Sequence, residues 1–258
     1  MSKFKAYVTA NNDAVELLRK EEDRVAVDLL RLTLSDVKDV FSPAEASQAK
    51  TSLVDSTAHP EASPDIDNAL NHSISSMSTV SEGDLVMKVT HSASHDQTKL
   101  GRVVRLPAPS LCPSMSSQAE IYLQMYNGIF VLEEGEEDGH IVASIILWNM
   151  AVANHRRGLR LGKGSSLERA LELYKTSLYL LFKSLKGHCY ALLRLGIYNN
   201  TAQVYSQLFR VAELVECVHY LRQAVAELDF DEESDDHSFF FLNVMFYSER
   251  ELVLAPAA

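Results

Sequence analysis

The chain has 258 residues, of which 47% are hydrophobic and 23% are charged, a composition typical of a soluble globular protein with a sizeable core. Its net charge of −11 argues against a nucleic-acid backbone or an anionic membrane as the main partner. The longest apolar run is too short for a bilayer, no secretion signal is recognised, and three cysteines without metal spacing favour a reducing compartment, the cytoplasm or the nucleus.

The first 41 residues predict a helical hairpin. Thr9 or Asn11 is the expected cap of the first helix, residues 21–23 form the turn, and a second helix covers residues 25–40. A hairpin of this size cannot bury both of its apolar faces alone. We therefore expect residues 1–41 to pack on helices that come later in the chain.

Residues 42–118 differ in composition from the rest of the chain. Six of the seven prolines and 21 serines or threonines lie in this segment, and no helical period runs through it. A segment this polar buries too little apolar surface to offset its ordering entropy. We expect a long, largely disordered insertion, with short strands at 84–89 and 101–106. Residues 119–258 are expected to form one domain together with residues 1–41.

The run IYLQMYNGIFVLEE at 121–134 is rich in β-branched and aromatic residues. Asn127 and Gly128 stand at its centre, and Asn-Gly between such runs is a strong signal for a tight hairpin turn. The sequence therefore favours a small β-hairpin here. The alternative is a single extended segment that packs along the helices.

Residues 141–228 predict four helices, because apolar residues recur at steps of three and four. Gly158 and Gly187 are the expected C-terminal caps of the first two, and Ser165 with Glu168 is the expected capping box of the second. A further helix at 237–253, with Asp236 or Ser238 as its N-cap, is predicted to cover the last pair. For residues 239–247 a strand is the alternative.

Three of the helices share one sequence frame. The segments NNDAVELL (11–18), WNMAVAN (148–154) and NNTAQVY (199–205) align Asn12 with Asn149 and Asn200, and each has an alanine two residues later. This pattern resembles the tetratricopeptide repeat (TPR), a 34-residue helical hairpin with small residues at its eighth and twentieth positions. The resemblance implies an all-α solenoid of antiparallel helix pairs, interrupted by the insertion and a small β segment.

The resemblance also implies a concave groove lined by the first helix of each pair. Family groove positions carried onto this chain give a peptide-binding set rich in amides, and an amide can pair with the backbone of an extended peptide. The alternative, to which the sequence gives equal weight, is that these amides cap or bridge neighbouring helices. The predicted peptide-binding residues are Asn12, Trp148, Asn149, Val152, His155, Arg156, Asn199, Asn200, Gln203 and Gln207.

No catalytic motif is found in the sequence. GLRLGKGSS (158–166) has the wrong spacing for a phosphate-binding loop and follows a helix. The nine histidines show no metal-ligand spacing on a predicted helix, and Cys189 and Cys217 are expected to be buried packing residues. We therefore predict a non-enzymatic protein that binds a protein or peptide partner and needs no cofactor or metal.

Two other interpretations stay open. In one, the helices form a structural or self-assembly module whose groove is filled by the chain's own run at 121–131. In the other, the protein is a divergent helical enzyme, for which only His155, His188 and His219 are placed to supply an acid or base. The partner and the oligomeric state do not follow from the sequence.

Overall fold

The computed structural model describes residues 3–41, 103–106, 125–133, 138–184, 190–227 and 235–254. Over these ranges the protein is mostly helical, with seven helices and a two-stranded sheet. In chain order the elements are α1 (Lys3–Arg19), α2 (Asp23–Phe41), β1 (Val103–Arg105), β2 (Gly128–Phe130), α3 (Gly139–Leu161), α4 (Gly164–Lys183), α5 (Ala191–Gln207), α6 (Val211–Glu227) and α7 (Asp235–Leu254).

The chain divides into two compact units. The first comprises Met1–Val37 and Thr98–Ala258, and the second comprises Lys38–Gln97. Of the second unit, only the last residues of α2 are described. The predicted disorder of residues 42–118 and the strand expected at 84–89 therefore lie almost wholly outside the described residues.

The N-terminal hairpin is present as α1 and α2, with Glu21 in the turn at a φ of 61°. The expected caps are wrong, because α1 begins at Lys3 and both Thr9 and Asn11 lie inside it. The Thr9 hydroxyl instead donates to the carbonyl of Lys5, one turn earlier. Hydroxyl and amide side chains that suggest a cap can also bond within a helix, which is why these positions are misleading.

Helix α3 is longer than the sequence predicts. Asp138 caps its start by accepting from the backbone N–H groups of His140 and Ile141, and Gly162, at a φ of 61°, ends it. Gly158 is therefore not a cap but a buried residue within the helix. Its missing side chain allows α4 to approach, since a Cβ on Gly158 would lie 2.6 Å from Cδ2 of Leu167.

The capping box predicted for α4 is also wrong. The helix begins at Gly164 after Lys163, whose side chain makes no capping bond, so Ser165 already lies in the first turn. Gly187, the other predicted cap, lies outside the described residues. Helix α3 packs against α4, α4 against α5, and α5 against α6, while α1 packs on α3.

Helix α7 confirms the predicted C-terminal helix and excludes the strand alternative for residues 239–247. Neither expected N-cap is correct, because Asp236 and Ser238 both lie within the helix. Its inner face packs against α5 and α6 and buries Phe240, Asn243, Val244 and Tyr247. Asn243 is the polar member of this otherwise largely apolar face.

Strands β1 and β2 pair antiparallel, with Val104 opposite Ile129. This confirms a strand within the predicted 101–106 segment. The prediction of a hairpin turn at Asn127-Gly128 is wrong, because neither residue has a positive φ and Gly128 lies in β2 itself. Residues 125–133 instead form one extended segment, as in the alternative interpretation, because its partner strand comes from far earlier in the chain.

We expect Gly158→Ala to lower the free energy of unfolding by about 1–3 kcal/mol, since the new methyl group would overlap the buried Leu167. Gly164→Ala is the matched control, because nothing lies within 4 Å of a Cβ at that position. Urea unfolding followed by circular dichroism measures both. Equal stability of the two variants would contradict the close packing of α3 on α4.

Candidate functional site

The extended segment 125–133, here called the internal strand, lies across α1, α3 and α5. Most of its apolar side chains are buried, and Tyr126, Ile129 and Phe130 are each at most 1% exposed. Burial of a strand leaves its backbone N–H and C=O groups in need of partners. The contacts of those groups define the site.

Two asparagines hold the internal strand. Each of them bonds both the backbone N–H and the backbone carbonyl of a single strand residue. The Asn200 side chain accepts from the Tyr126 N–H at 2.8 Å and donates to the Tyr126 carbonyl at 3.1 Å. The Asn149 side chain accepts from the Phe130 N–H at 3.0 Å and donates to the Phe130 carbonyl at 2.9 Å. An asparagine amide has both the donor and the acceptor that this pairing needs.

The same pairing recurs on α1. The Asn12 side chain accepts from the Leu132 N–H and donates to the Leu132 carbonyl, both at 3.0 Å. Between these asparagine contacts, Nε1 of Trp148 donates to the Gly128 carbonyl at 2.9 Å. The backbone of each even-numbered residue from 126 to 132 thus bonds to a side chain of α1, α3 or α5.

The other edge of the internal strand faces β1. The Leu106 N–H donates to the Asn127 carbonyl at 3.0 Å, and Val104 lies opposite Ile129. Backbone groups of a strand point alternately to its two edges, so one edge bonds to β1 and the other to the asparagines. The three asparagine side chains occupy the place that a third strand would take in a sheet.

Further asparagines support the amides that contact the strand. Asn11 donates to the Phe130 carbonyl at 3.1 Å and accepts from Asn149 at 3.0 Å. Asn199 donates to Oδ1 of Asn200 at 3.2 Å and accepts from Asn243 of α7 at 2.7 Å. Hydrogen bonds of this kind fix the orientation of a buried amide, so that its donor and acceptor face the backbone.

The polar network continues into the core through Tyr174. Its hydroxyl accepts from Asn200 at 3.1 Å and lies 3.2 Å from Nδ1 of His155. Burial raises the pKa of the Tyr174 hydroxyl and lowers the pKa of His155 to about 3. Both groups are therefore neutral near pH 7, as expected where water is excluded.

Aromatic side chains enclose the N-terminal half of the internal strand. The Tyr126 ring lies 4.9 Å from that of Phe240 and 5.6 Å from that of Phe239, both on α7. The Arg105 guanidinium lies 5.7 Å above the same ring and forms an ion pair with Asp236. Helix α7 thus contacts the internal strand directly, as well as covering α5 and α6.

Four of the ten predicted binding residues contact the internal strand in the described structure, namely Asn12, Trp148, Asn149 and Asn200. Asn199 supports Asn200, while Val152, His155, Arg156 and Gln203 are buried and Gln207 is half-buried. Nη2 of Arg156 lies 4.0 Å from Glu21 in the α1–α2 turn. The structure therefore places several of the predicted residues on a peptide backbone, and that backbone belongs to the chain itself.

Besides Asn11, three contributors lie outside the ten predicted binding residues. Tyr174, Asn243 and Gly196 lie on α4, α7 and α5, and the first two extend the amide network. A Cβ on Gly196 would lie 2.8 Å from Cη2 of Trp148, so this glycine makes room for the indole. The sequence holds a signal for Asn243, a lone amide in the apolar run FFFLNVMFY, and for Tyr174, which falls on an aromatic position of the repeat that the sequence resembles.

Metal binding, thiol reactivity and membrane spanning each require particular groups among the described residues. No cluster of metal-ligating side chains occurs among them. Cys217 is buried, as predicted, and burial raises the pKa of its thiol to about 12. None of the described helices has the length and apolar character that crossing a bilayer requires.

Comparisons of the chain with known protein families, with curated proteins and with solved structures found no match. The site is therefore interpreted from its own geometry.

We expect Asn149→Ala to lower the free energy of unfolding by about 3–5 kcal/mol, because it leaves buried backbone and amide groups without partners. Asn154→Ala on the same helix is the matched control, since its amide bonds only the Met150 carbonyl one turn earlier. Urea unfolding compares the two. A loss of less than about 1 kcal/mol for Asn149→Ala would show that the strand is not held by this amide.

Buried His155 should make stability depend on pH. Its pKa is about 3 in the folded chain and about 6.5 when unfolded, so protons bind preferentially to the unfolded chain between these values. The free energy of unfolding should fall as the pH drops below 6.5, by about 2 kcal/mol at pH 5 from this group.

His155→Asn, which keeps a polar group near Tyr174, should flatten this dependence in urea unfolding curves recorded at several pH values. The exposed His219, replaced in the same way, controls for the loss of a histidine as such. An unchanged slope in His155→Asn would contradict the burial of a neutral imidazole.

Proposed function

We propose that this protein is a non-enzymatic, TPR-like helical scaffold for protein–protein interaction, whose concave groove is filled by its own internal strand. The observation that carries the proposal is the set of asparagine–backbone pairs from α1, α3 and α5 to residues 126, 130 and 132. Of the interpretations open to the sequence, the self-filled groove fits these contacts best.

The TPR-like part of the proposal is supported by equivalent positions. Asn12, Asn149 and Asn200 occupy the same place in the repeated sequence frame and make the same bond to an extended backbone. Their helices are each followed at once by a second helix, α2, α4 and α6. A stack of similar hairpins explains why three distant sequence positions converge on one strand.

Self-occupancy is supported by the depth at which the strand is buried. Tyr126, Ile129, Phe130 and Leu132 are each at most 2% exposed, and their side chains belong to the core. A ligand from another protein would have to displace a segment that is covalently attached and thus present at a high effective concentration. The groove is therefore a structural part of the folded scaffold.

A role in protein contact is supported by the outer face of α7. Four large apolar side chains there remain about half exposed, whereas the described residues of the inner face are buried. Exposed apolar groups concentrated on one face are typical of proteins that contact other proteins. These side chains are Phe241, Leu242, Met245 and Phe246.

The enzyme alternative receives less support from the geometry. His155 is buried and neutral, His219 is exposed on α6, and His188 lies outside the described residues. A buried and an exposed histidine do not share a solvent-filled pocket, so the two described histidines do not form an acid–base pair.

A second candidate function, a partner peptide bound through the concave face, is favoured by one observation. The polar contacts from the asparagines and Trp148 are to backbone groups of the internal strand. Such contacts do not depend on the identity of the bound side chains, so another extended segment could make them as well.

Hydrogen–deuterium exchange on the full chain tests the self-filled groove. We expect the amide protons of Tyr126, Phe130 and Leu132 to be protected as strongly as those of α3, because each is bonded to a buried asparagine. Asn200→Ala should accelerate exchange at Tyr126 more than at Leu132, while Asn154→Ala should leave both unchanged. Fast exchange of the internal strand in the wild-type chain would favour the open groove and a partner peptide.

A further inference from the structure

The centre of the internal strand has room only for glycine. A Cβ on Gly128 would lie 2.5 Å from Cε1 of Tyr126 and 2.7 Å from Cγ1 of Val103. The φ of Gly128 is not positive, so the requirement is for space and not for an unusual backbone conformation. On the other side, the Trp148 indole approaches closely enough to donate to the Gly128 carbonyl at 2.9 Å.

The residues two positions to either side of Gly128 are both aromatic, and both meet Trp148. The Phe130 ring lies 6.1 Å from the indole in a perpendicular arrangement, and the Tyr126 ring lies 6.3 Å from it. Gly196 on α5 makes room here too, since a Cβ there would lie 3.1 Å from Cδ1 of Tyr126. The strand's own Tyr126 and Val103 of β1 thus leave no space for a side chain at the centre. Trp148 and Gly196 of the helices accommodate the flanking aromatic rings.

The groove therefore combines two kinds of recognition. The asparagines hold an extended backbone whatever its side chains are. Val103 of β1 leaves no space for a side chain at the central position, and Trp148 contacts the aromatic rings two positions to either side. Leu132, held by Asn12 and 2% exposed, adds an aliphatic residue at the far end. Backbone bonding with pockets for alternate side chains is how proteins bind added strands selectively.

We propose that the groove, together with β1, is a selective receptor for extended segments of the form aromatic–x–glycine–x–aromatic–x–aliphatic. The internal strand is its built-in copy, and a segment of this form from another protein binds the same place in exchange for it. The inference rests on the self-filled groove proposed above and adds the chemistry of the partner.

An external segment competes with a tethered one, so its binding is measurable only when the internal copy is weakened. Gly128→Ala in the full chain weakens that copy through the overlap with Tyr126 and Val103 and changes no residue of the helices. Val131→Ala is the matched control, because it removes a half-buried side chain from the same strand and leaves the glycine in place.

The probe is a fluorescent synthetic peptide with the sequence MYNGIFVLE of residues 125–133, and a second peptide carries alanine in place of its glycine. Fluorescence anisotropy measures binding of each peptide to the wild-type, Gly128→Ala and Val131→Ala chains. We expect saturable binding of the glycine peptide to the Gly128→Ala chain alone. The alanine peptide should bind it at least about tenfold more weakly.

Equal binding of both peptides to the Gly128→Ala chain would contradict the requirement for glycine at the centre of the segment. Hydrogen–deuterium exchange shows whether residues 125–133 of that chain are released. If they are released and no peptide binds, the proposed receptor function is wrong. The self-filled groove is judged separately, by the protection of residues 125–133 in the wild-type chain. That protection would stand even if no peptide bound.

Phe130→Ala provides a second weakened chain, since it removes a buried ring from the strand and leaves the helices intact. Circular dichroism establishes whether each chain is folded. If both Gly128→Ala and Phe130→Ala unfold the protein, the internal strand is inseparable from the core, and exchange with an external segment is excluded.

Discussion

One constraint underlies this structure, namely that a strand buried among helices must still bond its backbone on both edges. Water is excluded from the internal strand, and an unpaired N–H or C=O there would cost about 1–3 kcal/mol. A short strand, β1, bonds one edge. On the other edge the asparagines of α1, α3 and α5 supply donor and acceptor together, because the amide nitrogen donates and the amide oxygen accepts. The helices and the strand therefore depend on each other, because neither satisfies its polar groups alone.

This dependence explains the density of buried polar side chains in the core. An asparagine that bonds in two directions at one backbone site must keep its amide in a single orientation, and Asn11 and Asn199 ensure this from the preceding positions. The network extends to α7 through Asn243 and to α4 through Tyr174, so elements that do not touch the strand edge still stabilise it. A small residue serves the same end. Gly196 leaves room for the Trp148 indole, whose N–H reaches the Gly128 carbonyl.

The asparagine contacts to the internal strand also bear on the proposed function of the protein. A groove whose polar contacts are to backbone groups is a general device for holding extended peptides, and here the chain supplies the peptide itself. The proposed selectivity of the site rests on the close packing around one glycine and two aromatic rings. The residues that stabilise the fold are also those on which the proposed recognition depends, which is why the proposed scaffold and the proposed receptor share one site.

The sequence by itself determined the helices and the asparagine frame. Apolar residues at steps of three and four predict α3 to α6, and the alignment of Asn12, Asn149 and Asn200 follows from residue order alone. Local signals failed where long-range contacts compete with them. Asn127-Gly128 forms no turn, because β1 and the asparagines hold it extended, and Gly158 ends no helix, because packing against Leu167 requires a residue without a side chain. Only the tertiary structure decided what the asparagines bind, since an amide bonds whichever backbone the fold brings to it, and here that is the chain's own internal strand.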